Sequence, residues 1–435
     1  MTLPDTDRSG LSRREHLRAL VAVGGVSALG ACLDLGADGD GAGGSNAVSV
    51  PSGTDPAALP ERQHAWNEAL PTDEGGNVRP PEHHVLVALS LADGVDVPPS
   101  DDARETLETA LRTLERAYER SNEGLLFTLG YTPEYFDRFD EPLPDDSLPD
   151  PEPLFPGGDP AVDAHDAVLH LASDEAAVVL EAEEALFGDR ETVNGIALEA
   201  DPTAVVDPLP ERRRTGFVGE GLPAEHTDVP GVPNSIPVEA PFFMGFRSGF
   251  RRSQATEDRV TIESGPFAGG TTQQITTMAL QLEAWFEQDN HFQRVSKLFS
   301  REHAERDLVG EYGEALEASN GLTEERIDST AADAREHGVV GHAQKAARAR
   351  EDGDPPLLRR DFNTVDGDRP GIHFLSLQRT IADFARVREA MVGEDLGVPT
   401  ANNGIRHYVF VDRRGNYLLP PRSLRALPVP DPGRS

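Results

Sequence analysis

Apolar and polar residues alternate through Val85, Val87, Leu89 and Leu91, and a period of two predicts a strand opening at His83. Ser100, Asp101 and Asp102 then mark a helix start, and Leu107, Ala110, Leu111, Leu114 and Tyr118 recur at helical spacing. Strand patterning returns over residues 124–131 and, after a Pro- and Asp-rich connection reaching residue 160, over residues 166–172. A helix over 174–187, closed by Gly188, and a short strand over 194–198 complete the series. The order β-α-β-β-α-β is that of a ferredoxin-like split unit.

The second half partly repeats this order. A strand is predicted over residues 271–280, a helix over 282–292, and a long polar stretch runs to residue 356. A strand over 371–378 and a helix over 380–391 follow. The last element predicted is a hairpin, with strands 407–411 and 417–419 around a turn at 413–416. The expected fold class is therefore α+β, with two ferredoxin-like domains over residues 81–200 and 241–425. Residues 201–240, rich in Pro, Arg and Glu, read as a connector, and 426–435 as a tail.

Charge narrows the functional classes. The 435 residues include 40 Lys and Arg against 76 Asp and Glu, a formal net charge of −36. A nucleic-acid partner is excluded, because a polyanion needs a basic footprint. Only Lys297 and Lys345 are lysines; every other cation is arginine. With a hydrophobic fraction of 37% the chain can still build a core. Such a composition is expected of a protein folded in very high salt, where screening removes most self-repulsion.

Residues 1–32 read as an export signal. Arg13 and Arg14 form a twin-arginine pair ahead of an apolar run from Ala19 to Leu29, which is too short to cross a bilayer. The run ends Leu29-Gly30-Ala31-Cys32, which resembles a lipobox and makes Cys32 the expected lipidation site. Cys32 is the only cysteine, so a disulfide framework and a thiolate zinc site are excluded. Residues 33–80, rich in Gly, Ala, Asp and Pro, are expected to be a flexible tether, with Trp66 inside it. The localisation expected is the outer face of the cytoplasmic membrane, reached by the twin-arginine route.

Chemistry concentrates late in the chain. Gly341-His342-Ala343-Gln344 precedes Leu357-Leu358-Arg359-Arg360-Asp361-Phe362 and then Gly371-Ile372-His373-Phe374-Leu375-Ser376-Leu377-Gln378-Arg379. This run resembles the haem-binding part of the dye-decolourising (DyP-type) peroxidases. Collinear pieces are similar to other parts of that family: Gly130-Tyr131-Thr132-Pro133-Glu134-Tyr135-Phe136, Phe267-Ala268-Gly269-Gly270-Thr271, and Gly415-Asn416-Tyr417-Leu418-Leu419-Pro420-Pro421. Together they span residues 83 to 421.

The resemblance implies an α+β barrel of the dimeric type, with haem b between the sheet and the helices of the C-terminal half. It also implies hydrogen peroxide and an organic reductant as substrates, and it is compatible with a homo-oligomer. His342 matches the proximal iron ligand, whose donation a carboxylate on the other ring nitrogen would strengthen. The alternatives are a solvated helix histidine at 342, or ligation by His303 or His337 instead. Arg359 matches the distal arginine, which stabilises charge on the departing oxygen, with Arg360 as the alternative.

The chain departs from the family at the distal acid. The family signature Gly-x-x-Asp-Gly is met by Gly245-Phe246-Arg247-Ser248-Gly249, so Ser248 stands where a proton-shuttling aspartate is expected. Glu220, in a second near-match, is the first substitute. This departure favours a rival class, a haem-binding or haem-iron-handling surface protein with little turnover. A third reading is a relative that has lost haem and serves only as a binding domain.

Overall fold

The alternation around Val85 becomes strand β1, His83–Leu91, in the computed structural model, which describes residues 50–144, 147–152 and 160–434. The signal segment, Cys32 and the tether through residue 49 lie outside the described residues. Helix α1, Asp101–Ala117, begins as its residue pattern requires. The Ser100 hydroxyl accepts the Ala103 amide at 3.2 Å, and two aspartates occupy the first turn, favourable to the helix dipole. Strands β2 (Leu126–Tyr131) and β3 (Ala167–Ser173), helix α2 (Ala176–Phe187) and strand β4 (Arg214–Phe217) follow. The antiparallel order is β4-β1-β3-β2.

That last strand corrects an expectation. Residues 194–198 do not join the sheet; Thr192–Val193 and Ile196–Ala197 form their own small hairpin. Asn194 and Gly195 both take positive φ, 44° and 78°, so the chain reverses between the two strands. The place beside β1 goes to β4, within the expected connector.

The C-terminal half contains β5 (Thr271–Leu280), α3 (Leu282–Gln288), α4 (His291–Leu298) and α5 (His342–Ala347). It continues with β6 (Leu358–Arg359), β7 (Phe362–Thr364), β8 (Gly371–Gln378), α6 (Ile381–Val392) and β9 (Val409–Leu419). The helix expected over 282–292 is broken because Asn290 caps a new start: its side chain accepts the Gln293 amide at 3.0 Å, and Gln293 returns the bond at 2.9 Å. The expected terminal hairpin is one strand. β5 offers β9 a partner from Val409↔Leu280 to Leu419↔Thr271, so Gly415 and Asn416 pair with Ile275 and Gln274 instead of turning. The surplus residue is absorbed by a register shift between Val411 and Arg413.

The C-terminal order is β7-β8-β5-β9, the same 4-1-3-2 arrangement as in the first half once each half is numbered by itself. The two sheets join at both edges. Asn363 of β7 lies opposite Phe217 of β4, and Leu418 of β9 opposite Tyr131 of β2. Eight strands thus close into a ring, which leaves neither ferredoxin-like sheet with an open edge.

The barrel interior is filled by Leu86, Ile275, Phe362, Leu375, Leu377 and Tyr417. His84 stacks on Phe362 with ring centroids 4.4 Å apart, and its Nδ1 lies 3.0 Å from Nε2 of His170. On the outside of the N-terminal half, α2 packs directly on β1 and β3.

Residues 51–80 correct the tether. Trp66 is 1% exposed and packs with Leu70, Leu126 and Ala172. Its indole N–H donates to the Gln63 carbonyl at 2.9 Å, and the Arg360 guanidinium lies 4.5 Å from its ring centroid. Among the described residues no helix is long and apolar enough to cross a membrane.

Candidate active site

On the outside of the C-terminal half α6 covers only part of the sheet. Met278 and Leu280 of β5, Ile372 and Phe374 of β8, and Val409 and Val411 of β9 line a cavity of about 490 Å³. Strand alternation turns these residues away from the barrel interior. Phe246, Leu298, Phe299 and Met391 line it from the loop and helix side, as does the first turn of α5.

His342 opens α5 and lines this cavity, the one histidine to do so. Two close approaches fix the start of that helix. A Cβ on Gly341 would fall 1.7 Å from the Phe299 carbonyl oxygen, and one on Gly404 would fall 3.1 Å from Cα of His342. Lys345, one turn on, is wholly buried and pins α5 to its neighbours. Its ammonium donates to the Met391 carbonyl at 2.6 Å and the Asn403 carbonyl at 3.1 Å, and to the Asn403 side chain.

Neither ring nitrogen of His342 has a hydrogen-bond partner among the described residues. Burial holds its pKa down to about 3, and the charges that face it, Lys345, Arg359 and Arg388, push the same way. The ring is therefore neutral, the state a metal ligand requires. No carboxylate backs it. Asp333, which reaches α5, accepts instead from Gln344 at 2.7 Å. The other two candidates are excluded as ligands. Both nitrogens of His303 are engaged, by Ser300 at 2.7 Å and the Asn320 carbonyl at 2.9 Å. His337 is exposed on the surface.

Three guanidinium groups, Arg388, Arg406 and Arg414, also line the cavity. Burial, with added repulsion from Arg414 and Arg406, lowers the Arg388 pKa to about 9. An anionic ligand would relieve that crowding.

Arg359 and Arg360 are separated by strand alternation. Arg359 lines the cavity. Arg360 does not; it donates to the His64 carbonyl at 2.7 Å and to Glu257 at 2.9 Å. Ser248 lies on the same wall as Arg359, at a turn whose two glycines, 245 and 249, take φ of 82° and 83°. Gly245 touches neither cavity of this region, and its place is against Phe286 and Pro237. Gly249 lines only a second cavity, also about 490 Å³, whose walls include Asp73, Asn77, Arg79 and Glu220.

Six residues line both cavities and so form the partition: Phe242, Arg247, Ser248, Phe250, Arg359 and Asp361. Asp361 was not marked in the sequence, although two residues from Arg359 in extended chain means the same face. Arg388, Arg406 and Arg414 carried no sequence signal, being brought together only by the packing of α6 and β9.

Residues 81–421 match the family described as a family of unknown function, DUF7405. The chain belongs to that family. No curated protein matches it. Its fold is similar to solved DyP-type peroxidases. One is a putative DyP-type peroxidase from Shewanella oneidensis, at 15% identity and TM-score 0.52, over 80% of this chain and 95% of that one. Another is the encapsulated DyP-type peroxidase of Mycobacterium smegmatis, at 13% identity and TM-score 0.53, over 84% and 100%. A third is a DypB variant from Rhodococcus jostii in complex with heme, at 13% identity and TM-score 0.51, over 85% and 99%. The fold is thus that of the DyP-type peroxidases, as the sequence resemblance implied.

Proposed function

We propose that the chain is a haem-dependent peroxidase that reduces hydrogen peroxide and oxidises an organic electron donor. The observation that carries this reading is a neutral histidine without a hydrogen-bond partner, His342, sharing one apolar cavity with Arg359. No group of three His, Cys, Asp or Glu side chains gathers among the described residues. A metal at His342 would therefore come inside a larger ligand.

Haem fits the residues present. The apolar walls suit the porphyrin, and Arg388, Arg406 and Arg414 suit its two carboxylates. In this reading the cofactor is haem b, as the family resemblance implies, and the single cysteine does not suit covalent c-type attachment. When bound, haem supplies the redox chemistry. His342 holds it, and the Arg359 guanidinium stabilises negative charge on the oxygen that departs from peroxide. The second cavity adjoins the partition from its other side. Twin-arginine export and lipid attachment at Cys32 belong to the same proposal, and Cys32→Ser should release the protein from membranes. Membrane association unchanged by that substitution would refute the anchor.

A second reading, haem binding with little turnover, is favoured by the cations that face His342 where a carboxylate would increase its donation. One experiment separates these. Protein made with haem available should show a Soret band and oxidise a dye with peroxide. A Soret band without turnover supports the second reading, and no Soret band refutes both.

A further inference from the structure

We propose that Asp361 is the acid–base residue of this site, carrying a proton between the two oxygens of peroxide in place of the carboxylate that Ser248 does not supply. The assignment rests on the peroxidase reading.

Placement carries the argument. Of the six residues in the partition, Asp361 is the only carboxylate, and with Arg359 it lines both cavities. Its Oδ1 is fixed by the Leu375 amide at 3.1 Å. Its Oδ2 accepts no hydrogen bond among the described residues and lies 4.0 Å from Nη1 of Arg359. That gap is too long for a direct hydrogen bond and is spanned by one oxygen atom bonded to both groups.

The rivals are placed less well. A serine hydroxyl at 248 relays a proton but cannot keep one as a carboxylate does. Glu220 lines only the second cavity, is 51% exposed and is paired with Arg247. Arg247 itself is also 4.0 Å from Asp73.

The electrostatics agree with the geometry. Burial raises the Asp361 pKa to about 6, against the opposing pull of Arg359 and the Leu375 amide. A carboxyl balanced there both takes and returns a proton near neutral pH. In the step, Asp361 accepts the proton of one peroxide oxygen and delivers it to the other. The O–O bond breaks heterolytically, and its electron pair leaves with the oxygen that now carries both protons and departs as water. Bound haem would supply the two electrons that the remaining oxygen takes up, and the organic donor would return them, with two protons from solvent releasing that oxygen as a second water.

The test uses the full chain loaded with haem. Stopped-flow mixing with peroxide, read at the Soret band, should show Asp361→Asn slower by about a hundred- to ten-thousandfold. Adding Ser248→Asp to that variant should restore much of the rate, and Asp361→Glu should keep it with a shifted pH profile. The Soret band before mixing should be the same in all of them. Independently of haem, infrared titration of the haem-free chain should show a buried carboxyl band lost as pH rises through about 6, and Asp361→Asn should remove it. An active chain indifferent to Asp361→Asn, or one whose infrared band survives that substitution, overturns this role alone. A chain that holds haem yet leaves peroxide intact overturns the peroxidase reading and this role with it.

Discussion

The two halves of the barrel run their strands in the same order, yet the cavity that His342 and Arg359 share lies on the outer face of the C-terminal half. In the N-terminal half, α2 lies on β1 and β3 with Val178, Val179, Ala182 and Ala185 buried. The corresponding helix of the C-terminal half, α6, likewise packs on β8 and β5. What differs is the chain between the first two strands. In the first half it is α1 with short loops, residues 92–125. In the second it is residues 281–357, which carry α3, α4 and α5 and hold His342 above the sheet. The two halves share one architecture and differ in the length of one connection, with the sheet order unchanged. Function carried on connections over a rigid scaffold is the general expectation.

Four changes would break or sharpen this contrast. The largest effect belongs to His342→Ala, which should abolish the Soret band while far-ultraviolet circular dichroism stays that of the folded barrel. Retention of the band would move the ligand elsewhere. Next is Arg359→Leu. Loss of one fixed charge donor should slow peroxide cleavage about a hundred- to thousandfold with haem still bound, and stopped-flow absorbance measures it.

Packing should divide the halves as well. Leu171→Ala, at a side chain fully buried beneath α2, should cost about 2–5 kcal/mol. Ile372→Ala fronts a cavity that already exists, and in the haem-free chain should cost less than about half of that. Denaturant unfolding of both variants decides the point, and equal losses would show that the cavity is closed in solution.

Acid sensitivity gives a further contrast. Burial holds His64 and His84 down to about 3 and His165 to about 4, all in the N-terminal half. The folded state keeps these rings neutral, while the unfolded chain protonates them near 6.5. The stability they contribute is complete above that value and falls as pH drops towards 4, by about 1.4 kcal/mol per pH unit for each ring. In the C-terminal half Asp361, raised to about 6, acts in the opposite direction and offsets His342, which is held down to about 3. Urea unfolding of the haem-free chain should therefore give a lower midpoint at mildly acidic than at neutral pH. An unchanged midpoint would mean that the three rings are not desolvated.

Much of the architecture was legible in the sequence because periodicity is local. β1, α1, β5, β8 and α6 all lie where their apolar spacing put them. Misplaced elements are those decided by partners far along the chain. β4 has four residues and gains its identity only by lying beside β1. Gly415 and Asn416, turn formers by type, are held extended by β5. Trp66 sits among prolines and polar residues, so nothing nearby announces a core position; its contacts are with Leu126, Ala172 and Arg360. The candidate site divides in the same way. His342, Ser248 and Arg359 carried motif signals and share one cavity. Asp361 and the arginines of α6 and β9 are defined by convergence in space, which one sequence does not display.

The two lysines have a practical consequence. Both ammonium groups are buried: Lys345 on backbone carbonyls, and Lys297 on the Asp289 carboxylate at 2.7 Å and the Tyr408 hydroxyl at 2.8 Å. The folded surface described here offers no side-chain amine to an acylating dye, an aldehyde or an amine-directed cross-linker. Such reagents will pass over the native protein and mark a lysine only after its half of the molecule opens. Incorporation of label at Lys297 or Lys345 is thus a direct count of opening events in the part of the chain that holds the cavity.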